Sequence, residues 1–223
     1  MKTFKDFIEN KKIIIVGPAS YLKQNPIADK IHEFDTVIRV NSSIDLVEKI
    51  PHIVGEKTDI VHATVAVDYS TRTDHRKVEF WIKKQIKHLR ISPPGIRASW
   101  LANIRTFEAL NRNRLDYSVV DAHKYMNYVK ECRNTIPNTG FTAILDCLEY
   151  NPALVHISGI TFFKGGYMSE YGVSTISEKQ VRELFSRVQN HDIDKQIDFF
   201  RKIYKESKIT CDNFIKESLS LWK

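Results

Sequence analysis

Lys12-Ile13-Ile14-Ile15-Val16-Gly17-Pro18-Ala19-Ser20 is the stretch whose reading decides the fold. Lys12 to Val16 is a continuous apolar, β-branched run, as expected for a strand buried on both faces. It breaks at Gly17-Pro18-Ala19-Ser20, small residues that let the backbone turn sharply and approach a ligand closely. A second run, Thr36-Val37-Ile38-Arg39-Val40, stops at Asn41. Parallel strands need a crossover of about a dozen residues or more, and Ser20 to Asp35 is long enough. The stretch therefore reads as a βαβ unit whose strand ends and first turn face one crevice, the usual nucleotide site of open α/β sheets.

The details argue against a dinucleotide fold. Gly17 is the only glycine between Met1 and Val54, so the Gly-x-Gly-x-x-Gly fingerprint is missing. Asn41, a neutral amide that donates and accepts, stands near the place of the ribose-binding acid. An NAD-dependent oxidoreductase with a degenerate fingerprint is thus a secondary reading.

Outward from this unit, strands and helices alternate. Phe4, Phe7 and Ile8 mark an N-terminal packing helix, and Lys57 to His62 a third strand before a polar loop from Asp68 to His75. Val78, Trp81, Ile82 and Ile86 share a helix face leading into a strand from His88 to Ile91, which Ser92-Pro93-Pro94-Gly95 ends. A helix from Ala98 to Arg112 turns Trp100, Ile104, Phe107 and Leu110 inward, and Tyr117 to Val120 reads as a strand. Helices over 178–189 and 192–206, a strand over 208–211 and a closing helix over 213–223 complete the pattern. With no repeat or linker, residues 1–223 read as one α/β, Rossmann-like domain with a mostly parallel sheet flanked by helices.

A second informative region begins at Ile136-Pro137-Asn138-Thr139-Gly140. Asn138 or Thr139 caps a helix whose small first residues leave outward N–H groups able to meet an anion. The strand Leu154 to Ser158 then ends in Gly159, a second ligand mouth. The following loop holds Phe162, Phe163, Tyr167 and Tyr171 around Lys164-Gly165-Gly166, a composition suited to a lid.

Composition narrows the classes. The 223 residues are 42% hydrophobic, enough for a packed core, and carry a net charge of +7. That charge favours acidic partners: nucleotides, anionic sugars, peripheral contact with an anionic membrane surface, or nucleic acid. The basic residues are scattered without a Lys/Arg run, which argues against nucleic acid. Cys132, Cys147 and Cys211 are odd in number and lack metal-ligand spacing, pointing to reduced thiols. With no signal-length or membrane-length apolar run, a cytoplasmic protein is expected.

Three segments together resemble the sialyltransferase-like glycosyltransferases. Gly17 to Asn41, with Asp35-Thr36-Val37 and Arg39-Val40-Asn41, resembles the family's large motif. Pro137-Asn138-Thr139-Gly140 through Ser158-Gly159-Ile160 resembles the small motif, and His191-Asp192 the very small one. Pro18 stands where the family usually has Asn, and Gln196 where the very small motif has Glu. The large motif also lacks the cysteine that the animal enzymes tie to their small motif.

The resemblance implies a sialyltransferase-type variant of the GT-A fold, found in a soluble microbial or viral relative. It implies an inverting, metal-independent transfer of an acidic keto-sugar, sialic acid or Kdo, from a CMP-sugar donor to a hydroxyl of a glycan or glycolipid. No further cofactor is implied. Gly17, Pro18, Ala19, Ser20, Asn41 and Gly159 would line the donor crevice. Asn138, Thr139 and Gly140, with Phe163, Tyr167 and Tyr171 of the loop, would serve its phosphate and sugar.

His191 would be the general base, because neutral imidazole ionises nearest pH 7. Among the eight histidines, His62 and His156 read as strand core residues, and His32, His75, His88 and His123 as surface. Asp192-Ile193-Asp194 spells a metal motif of other glycosyltransferases, but acids are favoured at a helix start anyway, and no metal site is assigned. A nucleotide-binding Rossmann-like protein without transfer activity is the alternative from another class.

Overall fold

The computed structural model of the chain describes residues 2–64, 78–93, 99–171, 179–180, 183 and 191–221. Seven strands form one sheet: β1 (Lys12–Val16), β2 (Thr36–Val40), β3 (Ile60–Ala63), β4 (His88–Ile91), β5 (Tyr117–Val119), β6 (Leu154–Ser158) and β7 (Ile209–Cys211). The helices around it are α1 (Phe4–Ile8), α2 (Leu46–Lys49), α3 (Pro51–Val54), α4 (Val78–Lys83), α5 (Ser99–Asn111), α6 (Ala122–Glu131), α7 (Thr139–Leu148), α8 (Ile193–Glu206) and α9 (Asn213–Ser218).

The spatial order is β5-β4-β3-β2-β1-β6-β7, and every strand pair is parallel. From β1 the chain steps outward through β2 to β5, then returns to the other side of β1 for β6 and β7. The topological switch point therefore lies between β1 and β6, where open α/β sheets bind ligands. Ile13, Ile14, Ile15 and Val16 are all buried because helices or loops cover both faces of this central strand.

Strand alternation sorts the two faces. Val61, Leu89 and Ile91 pack with Trp81 of α4 and Phe107 of α5. His62 and Arg90 point the other way, under α7, where Asp146 receives two parallel bonds from Arg90, Nε–Oδ2 2.8 Å and Nη2–Oδ1 2.9 Å. His62 lies in the same pocket, Nε2 3.5 Å from Asp146 Oδ2, and both acidic and imidazole side chains are fully buried. Burial alone would raise the Asp146 carboxyl, but neighbouring His62 and Arg90 outweigh it and hold it below the usual range.

Several expectations change. The β1–β2 crossover contains 3₁₀ turns, Ser20–Lys23 and Ile31–Glu33, rather than an α-helix; between them Gln24-Asn25-Pro26 interrupts helical hydrogen bonding. The third strand starts at Ile60, because the Lys57 carbonyl and Thr58 hydroxyl are held by the buried Arg39 guanidinium. Leu110 is 40% exposed. The buried stripe of α5 instead follows Asn103, Phe107 and Asn111, and Asn111 closes the turn to β5 through both N–H and C=O of Leu115.

His88 is buried rather than on the surface, packed near the Phe4 and Phe7 rings, with Nε2 2.7 Å from Ser118 Oγ. Burial pushes its pKa down to about 4. The loop over 68–75 with His75, the side chain of Trp100 and most of the helix expected over 178–189 lie outside the described residues.

Candidate functional site

The strand ends at the switch point are in backbone contact. A Cβ on Gly17 would stand 2.3 Å from the Gly159 carbonyl oxygen, and one on Gly159 would stand 2.3 Å from that of Gly17. Gly159 also has φ +70°, in the left-handed region. Glycine at both places is what lets β1 and β6 converge.

Asn41 ends β2 with φ +50°, a conformation asparagine tolerates better than most residues. Its Oδ1 accepts from the Thr64 amide at 3.1 Å. The Thr64 hydroxyl in turn meets Thr139 Oγ1 at 3.1 Å and Ser92 Oγ at 3.3 Å. The ends of β2, β3 and β4 and the start of α7 thus share one polar cluster. Thr64 and Ser92 escaped sequence reasoning, since a single hydroxyl after a strand carries no local signal.

Asn138 caps α7 by accepting from the Phe141 amide at 2.9 Å. Its own amide and its Nδ2 both donate to Gln196 Oε1, at 3.0 and 2.8 Å. Gln196 Nε2 donates to the Ile136 carbonyl at 3.2 Å, and the Gln196 side chain is fully buried. His191 Nδ1 lies 2.6 Å from that same carbonyl. A carbonyl only accepts, so Nδ1 carries the hydrogen, and in the neutral ring the lone pair sits on Nε2. Asp192 caps α8 through the Lys195 amide at 3.0 Å and pairs with Lys195 Nζ at 3.3 Å. His191 is thereby fixed between α8 and the approach to α7.

The first turn and the loop after β6 hold each other. Gly17 N donates to the Ser158 carbonyl, Ala19 N to that of Gly159, Ser20 N to that of Gly166 and Met168 N to that of Pro18. Ser20 Oγ donates to the Gly165 carbonyl at 2.6 Å, and Ala19 bridges Tyr167 in antiparallel fashion. The amides of this turn are thus engaged within the protein, and Ala19 is buried. Phe162, Phe163, Gly165 and Gly166 all have positive φ. Phe162 anchors the loop on Phe141 and Phe200, while Phe163, Tyr167 and Tyr171 form a string of rings 5.8 and 5.2 Å apart. Glu170 pairs with Lys23 at 2.8 Å, so residues 160–171 are tied to the first turn on several sides.

A further network was not foreseen. Tyr21 Oη accepts from the Gly159 amide at 2.8 Å and donates to Asp212 Oδ2 at 2.5 Å. Ser158 Oγ donates to the same oxygen at 2.6 Å, and His156 Nε2 lies 3.2 Å from Asp212 Oδ1. Burial by itself raises the Asp212 carboxyl, but the bonds from His156, Ser158 and Tyr21 outweigh it and keep it low. His156 is accordingly half-buried and polar-bonded, not enclosed in the core. Only the sheet order brings Tyr21 to Asp212.

No protein-family model matches the chain, and no curated protein matches it. Solved structures do. A mammalian sialyltransferase in complex with Gal-beta-1-3GalNAc-ortho-nitrophenol superposes with a TM-score of 0.59 at 15% identity, covering 94% of this chain and 71% of that one. A second mammalian sialyltransferase structure gives a TM-score of 0.58 at 14% identity, covering 91% and 69%. No helix among the described residues is long and apolar enough to cross a membrane. The all-parallel sheet, its switch point and these superpositions establish that the chain has a sialyltransferase-like fold.

Proposed function

We propose that the chain is an inverting, metal-independent glycosyltransferase that moves an acidic keto-sugar, sialic acid or Kdo, from a CMP-activated donor to a glycan or glycolipid hydroxyl. The observation that carries this reading is one hydrogen-bond path. It runs from His191 through the Ile136 carbonyl, Gln196 and Asn138 to the start of α7, and from Thr139 through Thr64 to Asn41. The path joins all three segments that resemble the family's motifs. Three buried cysteines, none in a disulfide, suit a reducing cytoplasm.

In this reading Asn41 and the Gly17–Gly159 contact bound the nucleoside. The Thr139 and Gly140 amides at the start of α7, which lack intrahelical acceptors, meet the donor phosphate. His191 Nε2 takes the acceptor hydroxyl's proton as its oxygen bonds to the anomeric carbon. The bond from that carbon to the phosphate oxygen breaks, and CMP leaves with the electron pair.

The test is thermal unfolding with CMP, UMP and NAD. CMP at 100 times its dissociation constant adds about 2.7 kcal/mol, a rise of roughly 5–10 °C for a chain of this size. Asn41→Ala should shrink that rise without unfolding the protein. Stabilisation by NAD or UMP alone rejects the donor assignment.

A further inference from the structure

The face of the sheet opposite α7 carries a cavity. The β1–β2 crossover contains no α-helix to lay over β1, β6 and β7, and a space of about 490 Å³ remains there. Ile14 and His156, partners in the β1–β6 register, lie at its base beside Asp212. Tyr21 stacks on Phe214 with ring centroids 4.4 Å apart, and Phe34 on His156 at 5.5 Å, giving the cavity aromatic walls. Asn25, Lys30, Glu33 and Asn213 stand around the opening.

We propose that this cavity binds a neutral monosaccharide unit, at a place distinct from the crevice at the strand ends. Its volume falls within the range of small-molecule sites, about 300–1,000 Å³. The polar groups choose the ligand's character. Lys30 and Glu33 oppose each other at the opening, so neither an anion nor a cation is matched there. The two asparagine amides donate and accept equally, as do the hydroxyls of a sugar, which also accept from Lys30 and donate to Glu33. Asp212 already accepts from Tyr21, Ser158 and His156, so its charge is met from within. The ring walls offer apolar surface to the C–H face of a pyranose. Each ring pair is already stacked, so no planar base inserts within either pair. The inference stands on the cavity and does not depend on the transfer reading.

Saturation-transfer NMR with methyl β-galactopyranoside, methyl β-glucopyranoside and cytidine tests it on the full chain. One of the two glycosides should receive saturation at millimolar concentration. Asn213→Ala and Glu33→Ala, both at exposed positions where truncation leaves the fold intact, should cut that signal at least fivefold. Asn41→Ala, in the crevice, should leave it unchanged. No transfer to either glycoside overturns the proposal. So does a glycoside signal abolished by Asn41→Ala but kept in both rim variants, or a cytidine signal abolished by the rim variants.

Discussion

Gln196→Glu tests the clamp that holds His191 and the α7 cap in one frame. The resemblance places a Glu here and predicts a change in pH dependence more than in stability; the structure predicts both. Gln196 Oε1 accepts two bonds from Asn138, and these survive the exchange. Nε2, which donates to the Ile136 carbonyl at 3.2 Å, becomes an oxygen facing an oxygen, in a side chain with no exposure. Losing a buried bond and leaving a charged oxygen against a carbonyl costs about 2–3 kcal/mol at pH 7.5. For a chain of this size the melting temperature should fall by roughly 4–12 °C.

The introduced carboxyl has its folded pKa raised by burial and by the Ile136 oxygen. Its protonated form can donate to that oxygen, so the deficit should narrow as pH falls through the raised value. Melting curves at pH 7.5 and pH 5, beside wild type, measure this. An unchanged melting temperature at pH 7.5, or a deficit of equal size at both pH values, refutes the clamp.

Two further expectations concern the frame. Gly17→Ala drives a methyl to 2.3 Å from the Gly159 oxygen and 2.7 Å from Ile160 Cγ1; it should cost about 3 kcal/mol, and a wild-type melting temperature contradicts the backbone contact. Stability should also fall in mild acid, because His88, lowered to about 4 from an ordinary 6.5, stays neutral when folded while the unfolded chain takes up the proton. The loss begins as pH drops below the unfolded value and reaches about 2 kcal/mol by pH 5 from His88 alone. Asp146 and Asp212, both held low, add to it only below the ordinary carboxylate value of 3.8. Denaturant unfolding at pH 7 and pH 5 should show a shallower slope in His88→Gln, and an equal slope removes His88 as the cause.

The parts legible in the sequence were those with a local pattern. Lys12 to Val16 and Leu154 to Ser158 read as strands because central parallel strands are apolar on both faces. The α7 start was visible because a cap needs a residue such as Asn138 just before an apolar run. The crossover was misjudged because loop length permits a helix without requiring one. Thr64, Ser92, Tyr21 and Asp212 were invisible for a different reason. Their roles depend on strand order, which joins residues as far apart as 21 and 212, and no single position announces that. His88 looked exposed from its polar neighbours, yet α1 folds Phe4 and Phe7 over it.

The central claim is transfer from a CMP-sugar with His191 as the base. Turnover of wild type and His191→Ala at saturating CMP-sialic acid or CMP-Kdo and glycan acceptor, with CMP affinity measured alongside, tests it most directly. The account predicts a loss of about 10²–10⁴-fold in turnover with CMP affinity nearly unchanged. Near-normal turnover in His191→Ala, or no transfer by the wild type from either donor, contradicts it.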